Sequence, residues 1–171
     1  MKRKKLTASM IALVMSVSLP MTTYAANWYL EDGSVTVNAD NSGQTVTQGS
    51  GSAVPDEAPV ITQRNSSAET SNTITINAAE NATANVTISN VNIGTSSAAI
   101  AKSSNDAIDV KGSSSANITL EGDNKIFSET GSALHVSDGN VTINGSGSLK
   151  AEIQDEPFGY NHNAKIGSHE K

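Results

Sequence analysis

Residues Ala116–Ala151, ANITLEGDNKIFSETGSALHVSDGNVTINGSGSLKA, decide the fold. One phrase occurs in them twice, as Asn117-Ile118-Thr119-Leu120 and as Asn140-Val141-Thr142-Ile143, and an earlier copy stands at Asn85-Val86-Thr87-Ile88. The copies begin 32 and then 23 residues apart, a period of stacked repeats rather than of a globular sheet. Within each copy apolar and polar residues alternate, which turns one face of a strand inward and the other to water. A polar turn follows each copy, then an isolated apolar residue: Ile93, Ile126 or Leu149. Between copies lies a second alternating piece, Ile108-Asp109-Val110 and later Leu134-His135-Val136.

Stacking the copies predicts inward columns Val86/Ile118/Val141, Ile88/Leu120/Ile143, Ile93/Ile126/Leu149, Ile108/Leu134 and Val110/Val136. The outward columns are Asn85/Asn117/Asn140 and Thr87/Thr119/Thr142, where like side chains one strand apart form ladders. The expected architecture is all-β: three short strands per coil, wound as a right-handed parallel β-helix (solenoid) of few coils. The longer period places nine extra residues mostly between Ile93 and Ile108, as a loop on one face. Composition alone also suits a disordered chain, since Ile, Leu, Val and Phe are 28 of the 146 residues after Ala25. Against that, the apolar residues stand in register, and 12 Ile and 10 Val with 4 Leu in that region are a strand composition.

Residues 1–25 read as an export signal. Lys2, Arg3, Lys4 and Lys5 form its basic end, Leu6 to Leu19 its apolar stretch of 14 residues, and Thr23-Tyr24-Ala25 its cleavage site. The stretch is short for a membrane span of about 20 residues. Cleavage after Ala25 predicts a secreted product with no membrane insertion. It would keep seven of the 11 basic residues against 17 acidic ones, a formal charge of −10. That balance argues against nucleic acid and anionic membranes as partners. With no Cys there is no disulfide and no thiolate metal site.

Residues 26–58 read as N-terminal strands and cap, from Asn27-Trp28-Tyr29-Leu30, Ser34–Asn38 and Gln44–Thr47. Residues 59–151 read as the coils. Asn72–Ile76 and Asn85–Ile88 are too close for a full coil and so belong to adjacent sides of one. Residues 152–171 are a polar tail or an incomplete coil, which raises a solenoid truncated at the C-terminus. An uncovered coil end exposes strand edges and predicts end-to-end self-association.

Several stretches resemble secreted bacterial β-helix proteins of the carbohydrate-binding-domain type: GQTVTQG at 43–49, APVIT at 58–62, ATANVTISNVNI at 82–93, ITLEGDN at 118–124 and VTINGSGSL at 141–149. The resemblance implies a right-handed parallel β-helix, similar to pectate lyases, and a polysaccharide partner, with calcium and acidic plant polysaccharides as ligands of some members. The tail AKIGS at 164–168 looks like the opening of a further coil.

A lyase on such a fold needs calcium ligands and a basic residue to remove a proton beside a uronate carboxylate. The one Arg after Ala25, Arg64, stands by a Ser-rich loop and reads as a solvated charge. Lys111 and Lys125 read as solvated turn residues, and the pairs Glu121/Asp123 and Asp106/Asp109 as wet carboxylates. The expectation is therefore a non-enzymatic protein. Its sugar-stacking candidates are Trp28, Tyr29 and Tyr160, with capping of a coil end the simpler role for Trp28. Its calcium candidates are Asp109, Glu121, Asp123 and Asp138, on turns or outward strand positions. His135 reads as a wet strand residue. A structural or adhesive surface repeat without a sugar site is the alternative, favoured by five aromatics in the chain after Ala25.

Overall fold

The computed structural model describes residues 25–95, 106–129, 131–153 and 166–167. Alternating Val, Ile and Thr build short strands wherever Gly, Asn or Ser does not turn the chain. In order they are β1 (Asn27–Tyr29), β2 (Val35–Asp40), β3 (Gly43–Gln48), β4 (Val54–Pro55) and β5 (Val60–Thr62). Next come β6 (Ile74–Ala78), β7 (Thr83–Ser89), β8 (Asn92–Thr95), β9 (Ile108–Lys111) and β10 (Ser115–Glu121). The last are β11 (Asp123–Ser128), β12 (Leu134–Val136), β13 (Asn140–Gly145), β14 (Ser148–Ile153) and β15 (Ile166–Gly167). The fold is all-β with parallel sheets.

Three sheets share these strands. Sheet I has the order β1-β5-β7-β10-β13, sheet II β8-β11-β14, and sheet III β15-β12-β9-β6-β2-β3-β4. From β7 onward the chain visits sheets I, II and III in turn and repeats that circuit, and each strand pairs parallel with its counterpart one circuit on. The β2–β3–β4 meander is antiparallel. The strands expected in residues 26–58 join these same sheets, since β1 pairs with β5 and β2 with β6. The two segments expected on adjacent sides of one coil, β6 and β7, lie in sheets III and I.

The core fills the space between the sheets. In sheet III, Val35, Ile74, Ile108 and Leu134 form one buried column, and Val37, Ile76 and Val110 another that continues to half-buried Val136. In sheet I, Val86 stacks on Ile118 and Ile88 on Leu120, as expected. The third copy departs from expectation. Ile143 pairs with Ile118 and Val141 with Ala116, so Thr142 rather than Asn140 continues the Asn85/Asn117 column. In sheet II, Ala151 continues the Ile93/Ile126 column, and Leu149 stands over Asn124. The reason lies in the turns: a two-residue slip keeps every side chain on its own face, so alternation cannot detect it, and turn length sets the register. With this register the insertion before Ile108 is seven residues rather than nine, because Ile93 pairs with Ile126 while Ile108 pairs with Leu134.

The corners between sheets I and II need left-handed backbone. Gly122 has φ +61 and Asn90, at the equivalent corner one circuit earlier, φ +54. The next residue of the second corner, Asp123, starts β11. Next in the same strand, Asn124 points inward and is 1 % exposed. Its amide nitrogen donates to the Glu121 and Ser148 carbonyls, each at 3.0 Å, and its oxygen accepts from the Val91 N–H at 3.2 Å. One side chain thus satisfies backbone groups on three successive circuits, which a buried corner requires.

Candidate functional site

Outward side chains of β8, β11 and β14 form the face of sheet II. Lys125 pairs in register with Asn92 on one side and Lys150 on the other, and Phe127 with Gly94 and Glu152. The backbone of Gly94 lets Glu69 lie across β8, since a Cβ there would stand 2.0 Å from the Glu69 carboxyl carbon. Glu69, Asn92, Lys125, Phe127, Lys150 and Glu152 line an open groove of about 420 Å³. A neighbouring hollow of about 400 Å³ shares both lysines and adds Ser66, Ser67, Asp123 and Ser148. Lys150 Nζ lies 3.1 Å from Glu152 Oε2, with both side chains more than half exposed. Such a pair contributes little, and two lysines side by side on neighbouring strands repel each other. The groove therefore presents Asn92, Lys125 and Lys150 in one row, with Phe127 and the carboxylates of Glu69 and Glu152 beside them.

Trp28 and Tyr29 lie away from this face, on β1. Trp28 is half-buried against the core, and its indole N–H donates to Asp56 Oδ2 at 2.8 Å. Tyr29 lies under the Arg64 guanidinium, 4.1 Å from the ring centroid. Arg64 forks onto Asp32, at 2.8 and 2.7 Å. This hydrogen-bonded contact lowers the Asp32 pKa and raises that of Arg64. For Glu31, partial burial pushes the carboxyl up, but N–H donors from Asn65 and Arg64 together with the nearby guanidinium bring it below its usual range. Arg64 is thus an exposed residue engaged with Asp32 and Tyr29. Tyr160 lies outside the described residues.

The acidic candidates divide. Glu121, Asp123 and Asp138 are exposed at corners, and Asp123 Oδ1 accepts from the Ser148 hydroxyl at 2.8 Å. Among the described residues the group of acidic and His side chains close enough to share an ion is a different one: Asp106, Asp109 and His135, whose donor atoms lie within 4.8 Å of one another. Of the four acidic candidates it takes in Asp109 alone. The expectation of wet carboxylates at Asp106 and Asp109 is corrected, because they are 8 % and 7 % exposed. Strand β12 crosses directly above β9, which puts His135 in register with Asp109. His135 Nδ1 lies 3.0 Å from Asp109 Oδ1 and 3.5 Å from Asp106 Oδ2. Asp109 Oδ2 meets Lys111 Nζ at 2.6 Å, and Asp106 Oδ1 accepts the Ser132 N–H at 2.6 Å.

No family model, curated protein or solved structure matches the chain. Sequence reasoning missed Lys150 and Phe127 as site residues and read Lys125, Asp106 and His135 as solvated. The Lys125/Lys150 pairing becomes legible only with the β11–β14 register, which the repeated phrases misplace by two residues. Asp106 lies three residues before Asp109, but its carboxylate is held by the Ser132 N–H, 26 residues away.

Proposed function

We propose that the chain is a secreted, non-enzymatic carbohydrate-binding protein whose three-sheet circuit is a right-handed parallel β-helix, and that it holds an acidic polysaccharide along sheet II. The handedness follows the rule for parallel crossovers. Secretion rests on the basic and apolar pattern of residues 1–25. The carrying observation is the in-register pair Lys125/Lys150 beside Phe127. Strands about 4.8 Å apart set the two lysine stems at a spacing close to one sugar ring, and carboxylates of a polyuronate would pair with their ammonium groups in exchange with Glu152. Phe127 supplies an apolar surface for a ring face. The stretches that resemble carbohydrate-binding β-helix proteins support the same class of ligand. At the rim, Asp123 offers one carboxylate for a calcium ion shared with the polymer, the form of calcium use this reading carries.

Electrophoresis of the purified chain through gels containing polygalacturonate or a neutral galactan, each with calcium or with chelator, tests the proposal. Retardation by polygalacturonate alone of the two polymers supports it, and dependence on calcium supports the Asp123 bridge. Equal mobility in all four gels would remove the sugar-binding reading. A second reading is a structural or adhesive repeat. It is favoured by the engagement of Trp28 and Tyr29 in contacts within the chain and by Ile143, which is 39 % exposed on β13. That reading predicts concentration-dependent association in sedimentation and no retardation by either polymer.

A further inference from the structure

We propose that Asp106, Asp109 and His135 bind one divalent transition-metal ion, with zinc the best-suited class, between β9 and β12. The donor set is one imidazole nitrogen and two carboxylates, which suits zinc and its neighbours better than calcium, a cation that takes oxygen ligands. Metal–ligand bonds of about 2.0–2.2 Å place neighbouring donors of a tetrahedral or octahedral shell about 3.0–3.5 Å apart. His135 Nδ1 stands 3.0 Å from Asp109 Oδ1 and 3.5 Å from Asp106 Oδ2, which matches that spacing.

Charge points the same way. Two carboxylates less than a tenth exposed turn one oxygen each toward the same nitrogen. A single Nδ1–H can satisfy one of them fully. The second cation at hand, Lys111, is half-exposed and sits on the outer oxygen of Asp109. Holding two buried carboxylates side by side is costly, and a divalent ion at Nδ1 serves both inner oxygens. Coordination through the Nδ1 lone pair leaves the neutral ring's proton on Nε2. Ser132 N–H orients Asp106, as outer contacts do in metal sites, whereas the Lys111 cation competes with the ion for the charge of Asp109. The ion would join two consecutive circuits at the very position where their strands pair.

The full chain, freed of metal with chelator and dialysed, is titrated with zinc chloride by calorimetry and weighed by native mass spectrometry. The site predicts saturation at one ion per chain. Asp109→Asn and His135→Gln each weaken binding by about 100-fold or more, above the range seen for loss of an outer contact. Lys111→Gln strengthens it several-fold, because a cation 2.6 Å from one ligand oxygen is removed. Lys111 is half-exposed, so this variant remains informative even where a buried substitution prevents folding. No saturable binding by the wild-type chain overturns the proposal. So does binding that survives both Asp109→Asn and His135→Gln unchanged, which would place the ion elsewhere, and so does binding indifferent to Lys111→Gln.

Discussion

The Asn124 amide nitrogen donates to the Ser148 carbonyl, 3.0 Å away on the next circuit, from a position where the surrounding column is otherwise apolar. Its oxygen meanwhile holds the Val91 N–H of the previous circuit. Asn124→Leu keeps the volume but removes the acceptor of the Val91 N–H and one donor each from the Glu121 and Ser148 carbonyls, of which Glu121 keeps the Asn90 N–H. An unsatisfied buried N–H costs about 1–3 kcal/mol, so the variant should lose about 2 kcal/mol of stability. Urea unfolding followed by circular dichroism checks this, and a loss below about 1 kcal/mol would mean that water replaces the amide.

Gly112, between β9 and β10, carries φ +101, and a Cβ there would stand 2.1 Å from the Ala78 carbonyl oxygen. Gly112→Ala combines a strained backbone with a clash against the main chain of the circuit below. It should cost at least about 2 kcal/mol, whereas Gly51→Ala, with its nearest atom at 3.0 Å and φ outside the left-handed region, should cost less. Thermal melts of the two variants side by side decide the order.

The titration of Asp32 should report the Arg64 fork. The Asp32 pKa is lowered in the folded chain from an ordinary 3.8, so the contact stabilises above that value and its contribution is lost as pH falls through the lower folded one. Glu31, lowered from 4.5, adds to the same acid-side loss. A carboxyl NMR titration should find Asp32 below 3.8 in the wild type and back near it in Arg64→Gln. An unchanged midpoint in the variant would show that the fork does not form in solution.

Trp28 is the one tryptophan of the chain, and its indole is tied to Asp56. Binding along sheet II should leave its fluorescence unchanged when polygalacturonate is added. Trp28→Phe should lower stability by about 1–2 kcal/mol, through the lost hydrogen bond and smaller ring, and leave retention intact. Quenching by the polymer would move the sugar site to β1.

Much of the fold was legible in the sequence. Alternation at Ile74-Thr75-Ile76 or Val86-Thr87-Ile88 assigns faces without ambiguity, and the recurrence of such pieces at intervals of one circuit announces parallel stacking. Register was legible from Asn85 to Asn117, because each is the third residue of its strand. It failed from Asn117 to Asn140, because Asn140 is the first residue of β13 and falls opposite Ser115. The site was less legible still. Lys125 and Lys150 come together through that same register. Asp109 was a candidate as an exposed ligand, but its burial depends on His135 and Lys111, which local spacing cannot bring into view. Asn124 lies in a turn-like EGDN run and reads as a surface residue, because nothing local announces that its amide faces inward.

The paired lysines of sheet II are the centre of the proposed sugar-binding face, and one measurement addresses them directly: calorimetric titration of polygalacturonate into the wild-type chain and into Lys125→Gln/Lys150→Gln. Both side chains are exposed, so the double variant should fold as the wild type does. Saturable binding that weakens at least about tenfold in the double variant, a loss of about 1.4 kcal/mol, and that fades with added salt, is the predicted result. Equal affinity in the two proteins, or none in either, would contradict the assignment of sheet II as the sugar-binding face.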